Sequence, residues 1–158
     1  MNNIKLNYNH VLAIVLFALT TVFYCHPILN NKKINQSDYK QFLGMSKEII
    51  DYRSTTGEEA LWTNSMFGGM PAYQISVHYP NNVLVHIDKF LQLYLPRPIG
   101  IMFLYFLGFY IFLLSLKIGP EISLLGAFAF GMSSYFFIIL EAGHNTKAHA
   151  IAYMAPAI

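Results

Sequence analysis

The sequence predicts an all-α integral membrane protein, a helical bundle with three full crossings, the start of a fourth, and a large loop after the first. Three observations predict it. Hydrophobic residues make up 55% of the 158-residue chain and charged residues only 11%, against roughly 25% charged in an ordinary soluble domain. Apolar runs without charge recur, each near the roughly 20 residues that carry a helix across a bilayer core. The long segment between the first two runs carries amphipathic helical patterns instead of linker composition. A formal charge of +2, with no basic stripe interleaved with aromatics, excludes nucleic acid as a partner. The single cysteine, Cys25, excludes an internal disulfide.

The first crossing is read over residues 11–29, "VLAIVLFALTTVFYCHPIL". Its end lacks the small-residue pattern of a signal-peptide cleavage site, so it reads as an uncleaved anchor. The loop spans residues 30–97. In it, "SDYKQFLGMSKEIIDYRS" predicts a helix over about 38–53, with Ser37 as N-cap, Asp38 in the first turn and Arg53 in the last. "NNVLVHIDKFLQLYL" predicts a second over about 82–95. Val83, Ile87, Phe90, Leu91 and Tyr94 form its apolar stripe, and His86, Lys89 and Gln92 its polar one. An amphipathic helix directly before a span is expected in the interface plane.

Between the two lies "LWTNSMFGGMPAYQ", residues 61–74, uncharged and aromatic. Trp62 and Tyr73 suit headgroup depth, Gly68-Gly69 permits positive φ and Pro71 sets a turn. The stretch reads as a tight turn resting on the membrane or the bundle.

The second crossing is read over 99–116, bracketed by Arg97 and Lys117, whose stems can snorkel. The third covers 122–140. Ala127 with Gly131, and Ala129 with Ser133, lie four apart on it and allow close helix packing. A fourth begins at 148 and stops at Ile158 in mid-apolar segment, which reads as a fragment of a longer protein.

Two crossings separate the long loop from "EAGHNTK", residues 141–147, so both fall on one side of the membrane, while the N-terminus and "KIGPE" share the other. Seven Lys/Arg in the loop against Lys5 and Lys117 opposite place the loop inside by charge, but it exceeds the roughly 60 residues over which that rule holds.

"EAGHNTK" gathers chemistry at the mouth of the third crossing. Lys147 can neutralise a lipid phosphate, His144 and Asn145 can hydrogen-bond phosphate or sugar oxygens, and Glu141 offers a carboxylate. The plain alternative is a solvated interhelical turn. Glu141 and His144 share the Glu-x-x-His spacing of di-iron bundles, but only one copy is present and no metal site follows. His149, on the next apolar segment, is either an intramembrane functional histidine or a satisfied packing residue. Lys32, Lys33, His78, His86, Glu58 and Glu59 read as solvated loop residues.

"DYKQFLGMSKEI", "TGEEALWTNSMFGGMPAYQIS" and "GAFAFGMSSYFFIILEAGHNTKAHAIAYMAP" together resemble the N-terminal part of the YfhO-like family of bacterial multispanning membrane proteins. The resemblance runs from Asp38 to Pro156. It implies a GT-C-like glycosyltransferase fold in the bacterial inner membrane, with the first crossing running outward and the long loop in the periplasm. It also implies a polyprenyl-phosphate-linked sugar donor and a cell-envelope glycan or lipid acceptor. An early acidic residue of the first external loop serves the chemistry in such proteins, and Asp38 occupies that position. As a general base it would take a proton from the acceptor hydroxyl; alternatively it would hold a divalent cation on a phosphate, the one cofactor the resemblance allows. Only one acid stands in "SDYKQ", where a metal-holding pattern would pair two. The loop carrying Trp62, Asn64 and Gln74 would line the donor site with Glu141, His144, Asn145 and Lys147. A transporter or flippase of a lipid-linked substrate, or a non-catalytic envelope-assembly protein, is the alternative.

Overall fold

The computed structural model describes residues 8–158, so Lys5 lies outside the described residues. Helices account for 68% of what is described and strands for 3%, which makes the chain all-α. The order is α1 (Tyr8–Tyr24), a short α2 (His26–Leu29), α3 (Ser37–Thr56), α4 (Leu84–Leu91), α5 (Ile99–Ser115), α6 (Pro120–Gly131), α7 (Ser134–Ala142) and α8 (Asn145–Ala157). A two-residue hairpin, β1 (Trp62–Thr63) with β2 (Met70–Pro71), interrupts the segment between α3 and α4.

Cross-contacts fix the helix directions. At one end Asn9 Nδ2 donates to Glu121 Oε1 at 3.3 Å and His10 Nδ1 lies 2.8 Å from the Tyr110 hydroxyl. At the other, Cys25 Sγ meets Met102 Sδ at 3.4 Å. Helices α1 and α5 are therefore antiparallel. Gly131 lies against the Phe106 ring and Gly126 against Leu113, so α5 and α6 are antiparallel too. Tyr105 donates to the Ala148 carbonyl at 2.9 Å, while Gly108 faces Ala152, which runs α8 parallel to α5. The resulting up-down-up-down bundle gathers the long loop and the turn at 141–147 at one end, and puts the start of α1 with the α5–α6 turn at the other.

Three elements differ from the sequence expectation. The third apolar run is two helices instead of one, because Ser133 adopts φ −61°, ψ 134° between them. Serine favours a helix start over a helix interior, and the break lets Phe136 stack on Tyr105 at 4.2 Å between centroids. Helix α3 starts at Ser37 with Gln36 as its cap residue, and runs on to a left-handed Gly57. Helix α4 is shorter than 82–95, since the chain turns out of it at Leu93 and Tyr94, with φ of 55° and 54°. Of the two small-residue pairs, Ala127 and Gly131 are buried, whereas Ala129 is exposed.

Taken together, Pro120–Ala142 is long and apolar enough to cross a membrane by length and composition. The other two long apolar helices, Tyr8–Tyr24 and Ile99–Ser115, have 17 residues each, the lower edge of the roughly 17–25 that span a bilayer. The surface is apolar where a soluble bundle is polar. Leu19, Phe23, Ile122 and Leu125 face outward at 60, 85, 66 and 70% exposure, while Thr21, Gln92 and Ser123 are buried. Large apolar side chains exposed in this number suit a partner or a membrane surface.

Helix α4 shows the same inversion in part. Of its apolar stripe, Val83, Ile87, Phe90 and Tyr94 are exposed, while Leu91 is half-buried and packs on the core. Gln92 from the polar stripe is buried instead, beside Asp88, against α8. His86 and Lys89 of the polar stripe stay exposed with the apolar residues, so only Gln92 and, in part, Asp88 turn toward the bundle.

Candidate functional site

The site at the loop end is built by the first turn of α3 docking on the turn between α7 and α8. Gly143 makes the approach possible: its φ is +102°, and a Cβ there would sit 3.1 Å from the Tyr39 nitrogen and 3.2 Å from the Asp38 and Gln36 Cβ atoms. Gln36 Nε2 donates to the Leu140 carbonyl at 2.5 Å, and the Gln36 and Asn145 amides exchange hydrogen bonds at 3.2 Å each way. Ser37 Oγ donates to the Ala142 carbonyl and to Asp38 Oδ1, both at 3.3 Å. These bonds satisfy carbonyls at the end of α7 that have no partner within the helix.

In that frame Asp38 Oδ2 lies 3.1 Å from His144 Nδ1, both side chains about half exposed. Residues 38 and 144 are thus brought together by tertiary structure. Asn145, next to His144 in the chain, bonds Gln36 and neither member of the pair. Glu141 lies on the apolar side of the same turn. It lines a cavity of about 300 Å³ with Tyr24, Ile28, Met102, Phe137 and Leu140.

Lys147 does not join this group: its Nζ sits 5.2 Å from the centre of the Tyr135 ring, a cation–π contact. Its place is taken by two lysines that read as solvated in the sequence and by the arginine that brackets the second apolar run. Lys32, Lys33 and Arg97 line a cavity of about 320 Å³ with Gln36, Tyr39 and Asn145. Asp38 lies between Gln36 and Tyr39 in the chain, and His144 precedes Asn145, so the pair adjoins residues of this cationic pocket without being part of its lining. Ile28, Ile34 and Pro98 line both this pocket and the apolar one beside Glu141. The sequence signal for it was the adjacent Lys32-Lys33 and the Arg97 bracket, which no local pattern joins.

Trp62, Asn64 and Gln74 lie elsewhere. The hairpin pairs Trp62 with Pro71 and Thr63 with Met70. Its tip is closed by Phe67, Gly68 and Gly69 at φ of 51°, 77° and 120°, and the Trp62 indole covers Gly69. The hairpin is tied to the middle of α3. Glu48 accepts from the Thr63 hydroxyl and, at 2.9 Å, from the Asn64 amide, while Ser65 Oγ donates to the Met45 carbonyl at 3.0 Å. These bonds, led by the Thr63 hydroxyl, hold the Glu48 carboxyl below its usual range. Glu48 follows Asp38 by ten positions, about 15 Å along a helix. The hairpin therefore rests on α3, and not on the bundle helices beside Asp38.

A second polar cluster sits between α4 and α8. Asp88 Oδ1 accepts from Gln92 Nε2 at 2.8 Å, from the Tyr153 hydroxyl at 2.7 Å and pairs with His149 Nε2 at 2.6 Å. Burial pushes this carboxyl up, but the bonds from Tyr153, His149 and Gln92 outweigh it, and Asp88 is held below the usual range. His149 is thus a partnered residue at a polar cluster. His149 and Tyr153 lie one helical turn apart, at i and i+4, a spacing that places both on one face.

Among the described residues no group of three or more His, Cys, Asp or Glu comes together as a metal site. Asp38 stands with one imidazole and no second carboxylate, so the donor set does not fit a protein-held divalent cation. No family model, curated protein or solved structure matches the chain.

Proposed function

We propose that the chain is the N-terminal part of a membrane-embedded, GT-C-like glycosyltransferase of the YfhO-like kind, working at the outer face of the bacterial inner membrane. Its α1, α5 and α6–α7 cross the bilayer, and α8 begins a fourth crossing. The observation that carries this reading is the cationic pocket of Lys32, Lys33 and Arg97, with the Asp38–His144 pair on residues next in the chain to its lining and an apolar cavity alongside. Three cations and two amides suit a phosphate, with Arg97 able to bind it through two parallel hydrogen bonds. The apolar cavity shares Ile28, Ile34 and Pro98 with that pocket and reaches Tyr24, Met102 and Phe137, apolar surface suited to the first part of a prenyl chain.

In the transfer, Asp38 takes the proton of an acceptor hydroxyl. The acceptor oxygen forms a bond to the anomeric carbon of the sugar. The bond from that carbon to the phosphate oxygen breaks, and the polyprenyl phosphate leaves with the electron pair. Lys32, Lys33 and Arg97 stabilise the charge that grows on the leaving phosphate. His144 orients the Asp38 carboxylate, and the Trp62 hairpin braces α3 from its far side.

The test is transfer from a polyprenyl-phosphate sugar by the full-length protein in proteoliposomes, with Lys32→Ala/Lys33→Ala and Asp38→Asn compared. Loss of donor binding in the first and of turnover in the second is expected. Lipid movement across the bilayer with no sugar transfer would identify a flippase instead. Orientation has a separate readout: a cysteine placed by Thr55→Cys should react with an impermeant reagent added outside. Reaction only after lysis would turn the topology over.

A further inference from the structure

The Asp88 cluster faces a cavity that the reaction above leaves unused. It is about 630 Å³ in volume, within the range of small-molecule sites. Leu84, Val85, Ile87, Leu91 and Leu95 of the α4 segment supply apolar walls, and Asp88, Gln92, His149 and Tyr153 supply one polar corner. Arg97 lines both this cavity and the cationic pocket, so the two share a wall.

We infer that this cavity is a binding site for an amphiphile with a neutral, hydroxyl-bearing headgroup, and, resting on the transferase reading, that this ligand is the sugar acceptor. Apolar walls take the chain of such a molecule. The three hydrogen bonds at the polar corner all converge on Asp88 Oδ1, leaving Oδ2 as an acceptor for a ligand O–H. Charge selects among headgroups. An ammonium would meet Lys89 and Arg97, which line the same cavity. A carboxylate or phosphate would be drawn to those two cations but repelled by Asp88, and an ammonium the reverse, so no headgroup charge is favoured by the whole lining. A hydroxyl satisfies the carboxylate at no charge cost, with Asn82 also on the lining as donor or acceptor.

The experiment uses the full-length protein in bilayer nanodiscs and three photoactivatable probes of equal chain length: a long-chain alcohol, its carboxylic acid and its primary amine. The alcohol should label the α4 and α8 peptides about tenfold more than either charged probe, and Asp88→Asn should reduce that labelling by about tenfold, as losing a hydrogen bond to a charged group would. Leu84→Trp guards against misfolding of the first variant. Leu84 is 70% exposed, so an indole there fills the cavity without burdening the core, and labelling should vanish. Equal labelling by the three probes, or alcohol labelling that survives Leu84→Trp, overturns the site. Capture of the alcohol without any sugar transfer overturns the transferase reading and leaves the site standing.

Discussion

Two carboxylate–imidazole pairs stand at one end of the bundle, five residues apart on the α8 side, and they are built to opposite specifications. His144 meets Asp38 across 3.1 Å, the side chains 51% and 44% exposed. His149 meets Asp88 across 2.6 Å, at 30% and 19%. Asp38 has one further donor, the Ser37 hydroxyl, whereas Asp88 has two, from Gln92 and Tyr153. The first pair is solvated and weakly held, so its carboxylate can change partners during a reaction. The second joins α4 to α8 and serves the fold first. Exposed ion pairs contribute about 0–1 kcal/mol, whereas hydrogen bonds to a charged group contribute about 1.5–3 kcal/mol each.

That contrast breaks or sharpens under substitution. On the proposed transfer reaction, Asp38→Asn should lower turnover by about 10²–10⁴-fold, the range of a lost general base, while thermal unfolding in detergent stays within about 1 kcal/mol of the parent. Asp88→Ala should behave in reverse. It strands Tyr153, His149 and Gln92 and should destabilise by about 2–3 kcal/mol, read as a lower unfolding midpoint. A stable Asp88→Ala protein would remove the distinction between the pairs.

Gly143→Ala comes next in size. A left-handed backbone costs a non-glycine residue about 1–2 kcal/mol, and the new methyl would press on Asp38 and Gln36. Transfer should fall together with stability, and hydrogen exchange at the start of α3 should quicken.

The acid limb of stability supplies a finer test. Asp88 is held below the usual carboxyl range, so its contribution is complete above the unfolded value of about 3.9. It is lost as pH falls through the lower folded value. Asp88→Asn should therefore flatten the loss of stability below about pH 4. Glu48 is shifted in the same direction, and Glu48→Gln should reduce the slope further. The smallest effect is local: Glu48→Ala releases the Thr63 and Asn64 contacts, and the fluorescence of Trp62, the single tryptophan, should shift to longer wavelength with little change in global stability.

Much of the architecture was legible in the residues. Uncharged runs marked α1, α5 and α6–α7, and the parity of crossings put the long loop and "EAGHNTK" on one side, the end at which the helix directions gather them. The break at Ser133 was harder to see, since apolar periodicity continues through it and only the stacking of Phe136 on Tyr105 shows what it serves. At the site, Asp38 and His144 meet, and Asn145 bonds Gln36. Lys147 and the Trp62 hairpin go elsewhere, because a side chain's reach depends on which helix face turns toward which neighbour.

By itself, then, the sequence determined composition, helix class and the sorting of segments between two ends, because these follow from hydrophobicity and chain order. Only tertiary structure decided which charges converge. Lys32, Lys33 and Arg97 are separated by the whole loop, and Asp88 and His149 by 61 positions. No local periodicity encodes such pairings: they arise when α3 docks on Gly143 and α4 turns Asp88 and Gln92 toward α8.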